Sequence, residues 1–217
     1  MQKYLVNHTR LGIPALIHCE ASAGAQFTEA DVFPSAIAQA STFDTEVVGE
    51  MTDIIRKQMY YVGFRQALSP VVDITRDPRW GRITETYGED AALTSAMASA
   101  FVKGIQGDEL KEGVLATAKH FAGHGITEGG LNMGRNIVSE RDMREIHCKP
   151  FQCAITEAGL KSVMNSYCSV NGEPVVGSKK MLTDILRGEM GFQGFVVSDY
   201  LSLDRLVDPF AVAENFE

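Results

Sequence analysis

Short apolar runs alternate along the chain with longer segments in which apolar residues recur every three or four positions. The short runs lie at 13–17, 67–74, 114–118, 162–166 and 195–198. Their length and compactness predict buried β-strands. The longer segments read as helices. In 45–61, Val47, Val48, Met51, Ile54, Ile55 and Met59 fall at helical spacing, and 90–105 is rich in Ala, Met and Leu with Gly104 and Gly107 near its stop. Segment 139–157 opens on Ser139 with Asp142 three residues later, and 178–190 opens on Ser178 and ends at Gly191. Both openings are capping arrangements, and a glycine is the usual stop.

Five strands, each followed by a long crossover, imply a parallel sheet covered on both faces. An open doubly wound sheet and a (β/α) barrel are both compatible with that alternation. The first strand is followed by His18-Cys19-Glu20-Ala21-Ser22-Ala23-Gly24, with neither GxGxxG nor GxxxxGK, so no dinucleotide or P-loop site is expected. In either architecture chemistry sits beyond the carboxyl ends of the strands. The residues expected there are Glu20 after the first strand, Asp73 and Arg82 after the second, Lys119 and His120 after the third, Tyr167 after the fourth and Asp199 after the fifth. Any one could be a satisfied structural polar group; their coincidence at one face points to a shared polar cavity.

Composition narrows what that cavity holds. The chain has 217 residues, 45% of them hydrophobic and 22% charged, which is enough apolar material for a sizeable folded core. Acidic residues outnumber basic ones by 28 to 20, a formal charge of −8 that argues against binding nucleic acid. No apolar run approaches the roughly 20 residues a membrane-spanning helix needs. Residues 1–10 contain no apolar stretch of signal-peptide length. Cys19, Cys148, Cys153 and Cys168 show no CxxC spacing and read as free, small, buried residues.

The carboxylates Glu20, Asp73 and Asp199 can each accept hydroxyl hydrogen bonds, and Arg82, Lys119 and protonated His120 donate them. A sugar ring matches that inventory. A metal is the competing ligand, because His120 and His124 lie among acidic residues. Lys119 beside His120 opposes a cation, however, and there is no HExxH, so neither metal nor cofactor is expected. A phosphate ligand would want more cations than carboxylates. An aldolase-type barrel using Lys119 as a Schiff-base amine is a further alternative.

Four stretches together resemble glycoside hydrolase family 3, in that family's order and over nearly the whole chain. They are Asp73-Ile74-Thr75-Arg76-Asp77-Pro78-Arg79-Trp80-Gly81-Arg82 continuing through Glu85 to Tyr87-Gly88-Glu89-Asp90; Lys119-His120-Phe121-Ala122-Gly123-His124-Gly125; Val163-Met164-Asn165-Ser166-Tyr167 with Val170-Asn171-Gly172; and Gly194-Phe195-Val196-Val197-Ser198-Asp199-Tyr200. The resemblance implies an exo-acting retaining β-glycosidase of the β-glucosidase/β-xylosidase branch, acting on a β-linked oligosaccharide or an aryl or alkyl glycoside. It implies that Asp199 is the nucleophile, forming a covalent glycosyl-enzyme that water hydrolyses. Tyr167 corresponds to the tyrosine that hydrogen-bonds that carboxylate. Lys119, His120 and Arg82 correspond to the residues that bind the hydroxyls of the sugar, and Glu20 to an Asp or Glu that clamps further hydroxyls.

Other residues in these motifs read as supporting ones. Asp73 is expected to be structural or to stand behind the site, Trp80 and Arg79 to pack the loop, and His124 to hydrogen-bond within its loop. Glu128 and Glu140 read as solvated surface. The implied fold is a (β/α)8 TIM-type barrel, of which residues 1–217 supply about five β/α units, short of the roughly 250 residues of a closed barrel. No carboxylate here matches the family's general acid, which is expected from a downstream domain. The isolated chain is therefore expected to be weakly active or inactive. A non-catalytic carbohydrate-binding relative of the same fold is the alternative function.

Overall fold

Strands pair in chain order, and that order decides between the two architectures. A computed structural model describes residues 1–215. In chain order its helices and strands are α1 (Gln2–His8), β1 (His18–Cys19), α2 (Ala36–Ala40), α3 (Thr45–Val62), β2 (Gln66–Ala67), α4 (Ala91–Gln106), β3 (Leu115–Phe121), β4 (Arg135–Asn136), α5 (Glu140–Asp142), α6 (Lys149–Ala158), β5 (Ser162–Asn165), β6 (Ser169–Val170), β7 (Glu173–Pro174) and β8 (Phe195–Val197). The main sheet runs β1-β2-β3-β5-β8, and every pair in it is parallel. A doubly wound sheet reverses direction at a switch point. This one never does, so it is a partial TIM-like barrel. A small second sheet, β4-β6-β7, lies in the loops after β3 and β5.

The outer helices form where the periodicity predicts them, for identifiable local reasons. The Asp44 carboxylate accepts the amides of Glu46 and Val47 at the start of α3, and Gly63 ends that helix at φ 96°. Asp90 caps α4 through the amide of Leu93. Helix α4 packs against α3 on one side, against α6 on the other, and against β3 beneath. Ile55, Met59, Met97, Phe101, Ile105, Phe121 and Phe151 are buried in this layer. Gly194 meets a tighter constraint: a Cβ there would lie 2.1 Å from the Lys161 carbonyl oxygen. Phe195 donates to that same carbonyl, so the absent side chain lets β8 close on β5.

Several elements depart from the sequence expectations. The 13–17 run is not the first strand. Pro14 offers no N–H, Ile13 is 63% exposed, and pairing begins where the Ile17 carbonyl accepts the amides of Arg65 and Gln66. The second strand is regular only at Gln66–Ala67, because Pro70 cannot donate; Val71 then bridges both Lys119 and Thr86. The third strand runs on to Phe121, so Lys119 and His120 lie in it rather than after it. The peptide bonds Lys119–His120 and Phe121–Ala122 are cis.

The segment expected as one helix from 139 to 157 is three. Ser139 caps α5 as its spacing predicts, the turns of Met143–His147 are π-wound, and α6 restarts with Pro150 in its first turn. Proline removes a donor and crowds the carbonyl four residues back, so one continuous α-helix cannot pass Pro150. The last helical segment, Lys180–Glu189, is π-wound as well. Helices α1 and α2 carry no signal that the periodicity brought out; α1 buries none of its residues. All four cysteines are free, with Cys148, Cys153 and Cys168 buried and Cys19 half-buried.

Phe101 is fully buried where α4 meets its neighbours. Phe101→Ala is expected to cost about 3–5 kcal/mol in urea unfolding, the range for emptying an aromatic site in a packed core. A loss below about 1 kcal/mol would show that this helical layer collapses around the deletion.

Candidate active site

Glu20 follows β1 directly, and Asp199 and Tyr167 each lie two residues beyond the ends of β8 and β5. In a regular strand Lys119 and His120 would point to opposite faces. The register of β3 against β5 shifts between Ala118 and Phe121, and both side chains reach the same end of the sheet. Lys119 Nζ donates to Glu20 Oε1 at 2.5 Å, burying the ammonium while Glu20 stays partly exposed. Arg82 arrives on the loop after β2. Its Nε donates to Glu85 Oε1 at 2.9 Å and its NH2 to Glu85 Oε2 at 2.8 Å, a two-pronged ion pair.

His120 connects these groups to the rest of the rim. Asp73 Oδ2 accepts both the His120 backbone amide (3.1 Å) and its ring Nδ1 (2.8 Å), and both side chains are 1% exposed. Arg82 NH2 lies 3.1 Å from His120 Nε2. A guanidinium can only donate, so Nε2 carries a lone pair and the ring proton sits on Nδ1. Burial, with the charges of Arg82 and Lys119 beside it, drives the His120 pKa well below the ordinary histidine value, consistent with a neutral ring. Burial likewise raises the Asp73 carboxyl, against the pull of His124 and Arg82. For Arg82, burial opposes the charge but is outweighed by the Glu85 bond and the nearby Asp73 and Asp199, so its pKa rises. Burial also opposes ionisation of Glu85; its bond to Arg82 prevails and lowers its pKa.

Asp199 is 8% exposed. Its Oδ1 accepts the Tyr200 amide at 2.7 Å, while its Oδ2 lies 3.6 Å from His120 Nε2 and has no hydrogen-bond partner among the described residues. Burial raises the Tyr167 hydroxyl pKa, and its hydrogen bond to the Asp199 carboxylate, with that group's charge, raises it further. Asn165 Nδ2 donates to Ser202 Oγ at 2.6 Å, tying the turn after Asp199 to the end of β5. Arg82, His120, Tyr167 and Asp199 thus converge. Lys119 and Glu20 form an adjoining pair. The open space is divided: Glu20 and Glu85 line a groove of about 820 Å³ with Ser22, Phe27 and Asp31, and Asp199 opens onto a depression of about 240 Å³.

The supporting residues separate by contact. Asp73 stands behind the site, holding His120. His124 is fully buried and its Nε2 lies 3.0 Å from Asn132 Oδ1, which also takes the Trp80 indole N–H at 3.4 Å. Trp80 packs edge-on against the His124 ring. Arg79 does not pack: its side chain is 69% exposed and pairs with Asp77. Glu128 and Glu140 lie at the surface, paired with Arg135 and with Lys180 and Arg144. Glu85 is the site residue that sequence reasoning passed over. Its signal was the three-residue spacing from Arg82, which puts a carboxylate within reach of the guanidinium. Among the described residues no group of three or more His, Cys, Asp or Glu could hold a metal ion, and no helix is long and apolar enough to cross a membrane.

Three buried histidines set a pH dependence. Burial depresses His120, takes His124 to about 3 (where its protonation and that of His120 also oppose each other) and His147 to about 4 (with Arg76). A histidine with a depressed folded pKa gains its proton on unfolding, so its stability contribution is present above pH 6.5 and is lost as pH falls toward the folded value. Asp73, raised by burial, acts oppositely and offsets one such proton. The melting temperature is therefore expected to fall steadily from pH 6.5 to about 4. A flat or rising profile over that range, read by differential scanning calorimetry, would contradict neutral burial of these rings.

Comparison with known proteins places the chain in a family. The family described as "Glycosyl hydrolase family 3 N terminal domain" matches residues 1–217. A Formosa agariphila protein named beta-xylosidase is 39% identical over 216 residues, covering 95% of this chain and 30% of its own length. A probable beta-glucosidase C of Aspergillus flavus is 37% identical, covering 90% of this chain and 34% of its own. The structure of a β-glucosidase from Erythrobacter marinus superposes with a TM-score of 0.95 at 35% identity, over 99% of this chain and 29% of that one. A mutant β-glucosidase from Listeria innocua in complex with laminaribiose gives 0.92 at 34%, again over 99% and 29%. The chain thus spans about 30% of the length of the curated relatives it matches. Its motifs, its sequentially ordered parallel sheet and these matches agree, and the chain belongs to glycosyl hydrolase family 3.

Proposed function

We propose that the complete gene product is an exo-acting retaining β-glycosidase that removes terminal β-D-glucosyl or β-D-xylosyl residues, and that this chain supplies its nucleophile and most of its sugar contacts. The observation that carries the reading is Asp199: a nearly buried carboxylate with one oxygen bound and the other unpartnered beside His120 Nε2. Family membership and the names of the relatives support it. The four carboxylates Glu20, Asp73, Glu85 and Asp199 against the two cations Lys119 and Arg82 suit a polyhydroxyl ligand and would repel a phosphate.

In this mechanism Asp199 Oδ2 attacks the anomeric carbon, the glycosidic C–O bond breaks, and a glycosyl ester forms on Asp199. Water then cleaves the ester, and two inversions give net retention. Arg82, Lys119, Glu20 and Tyr167 bind hydroxyls and the nucleophile, with His120 held between Asp73 and Arg82 beside the reacting carbon. The leaving group needs a proton. Glu20, Glu85 and Asp73 are committed to Lys119, Arg82 and His120, and the family resemblance implies an acid supplied from outside this chain. A Schiff-base role for Lys119 finds no support, because its amine is bound to Glu20. Glu20, one methylene longer than Asp, narrows the hollow and favours a xylosyl over a glucosyl ring by about 1–3 kcal/mol at most.

Asp199→Asn in the complete gene product is expected to lower turnover of nitrophenyl β-glucoside and β-xyloside by several orders of magnitude while leaving affinity for the free sugar largely intact. Comparable turnover in the variant would remove Asp199 from the nucleophile role. Absence of hydrolysis of either substrate by the unaltered protein would defeat the glycosidase reading itself.

A further inference from the structure

We propose that Glu85 is a positioning residue that holds the Arg82 guanidinium away from Asp199 and keeps its donors aligned on His120. The inference rests on the glycosidase reading above.

The argument begins with a count of donors. Arg82 has five N–H groups. Nε and one NH2 hydrogen go to the two oxygens of Glu85, and the second NH2 hydrogen goes to His120 Nε2. Terminal nitrogen NH1 lies 3.4 Å from His124 Nε2, but that nitrogen has a shorter contact, 3.0 Å, with Asn132 Oδ1. The Trp80 indole also donates to Asn132 Oδ1, which fixes it as an acceptor and makes His124 Nε2 a donor. The two hydrogens of NH1 therefore have no committed acceptor among the described residues and are the part of Arg82 left for a sugar hydroxyl.

Glu85 fixes that division of labour. Bidentate binding sets the plane of the guanidinium, as no single-point contact can. The alternative partner is close: NH2 lies 3.1 Å from His120 Nε2, which lies 3.6 Å from the unpartnered Oδ2 of Asp199. Without the Glu85 carboxylate, a half-buried guanidinium would seek another carboxylate oxygen, and the unpartnered Oδ2 of Asp199, the attacking atom, stands beside His120 Nε2. Arg82 would then release His120 Nε2 and cover the nucleophile. Glu85 is partly exposed and packs no core, so its loss should change the site more than the fold.

A double-mutant cycle in the complete gene product tests this. Glu85→Gln should lower kcat/KM on nitrophenyl β-glycosides roughly 10- to 100-fold, the scale on which a misplacement of about 1 Å acts. The melting temperature should stay within a few degrees, and Glu85→Asp should recover part of the loss. In an Arg82→Gln background the same substitution should change kcat/KM less than about threefold, because Glu85 acts through Arg82. Full and independent effects in both backgrounds, or a fall in melting temperature with unchanged kcat/KM, would overturn the proposal and leave the glycosidase reading standing. The cycle is also read as the Kd of isofagomine, the ligand bound in another Listeria innocua β-glucosidase structure. A protein that binds isofagomine without hydrolysing glycosides would fail the glycosidase reading, and the cycle in Kd would still decide Glu85. Failure to bind it and to hydrolyse would overturn both.

Discussion

A neutral imidazole wedged between a carboxylate and a guanidinium sets the electrostatics of the whole rim. Buried charge is costly unless paired, and a lone buried histidine sheds its proton. Asp73 and Arg82 meet His120 from opposite sides, one accepting from Nδ1 and the other donating to Nε2. That leaves the ring uncharged and its orientation defined. Arg82 is neutralised by Glu85 and Lys119 by Glu20, so each cation is matched outside the space that Asp199 faces. Two carboxylate oxygens of this set, Asp73 Oδ1 and Asp199 Oδ2, are left without a hydrogen-bond partner among the described residues, and that of Asp199 lies beside His120 Nε2.

The scaffold makes this possible by delivering one or two groups from each strand of the parallel main sheet, or the loop after it, to one end of that sheet. Each crossover turns the same way, so successive strands present successive side chains around a rim, the arrangement by which barrels of this type build active sites. The apolar layer between the sheet and α3, α4 and α6 fixes the strands from outside, and the Gly194 contact brings β8, and with it Asp199, against β5. The irregular register of β3 lets two consecutive residues serve one site.

Much of this was legible in the residues. The periodicity of 45–61 and 90–105 located α3 and α4 to within a residue or two, since capping aspartates and a terminal glycine act locally. The count of five parallel strands matches the main sheet, and Glu20, Tyr167 and Asp199 follow their strands as expected. What failed was where longer-range terms decide. The apolar run at 13–17 resembles a strand, but whether it pairs depends on Pro14 and on which backbone groups Gln66 and Arg65 can reach. Lys119 and His120 were placed beyond their strand because a polar dipeptide looks like a terminus; the bond from Lys119 to the Glu20 carboxylate and the Asp73 contact with His120 make burial tolerable there. The break at Pro150 is local and readable, since proline cannot continue the helix that the cap at Ser139 begins. Glu85 lies within a motif whose spacing leaves its role open, because whether its two oxygens are spent on Arg82 or on solvent depends on the fold of the loop.

The central claim is that Asp199 becomes covalently linked to the sugar. A 2-deoxy-2-fluoro β-glycoside with a good leaving group slows the second step more than the first and accumulates the glycosyl-enzyme. Incubation of the complete gene product with such a reagent, followed by proteolysis and mass spectrometry, should show one fluoroglycosyl adduct on the peptide containing Ser198 and Asp199. An adduct on another carboxylate, or none while the enzyme still hydrolyses the parent glycoside, would contradict the account.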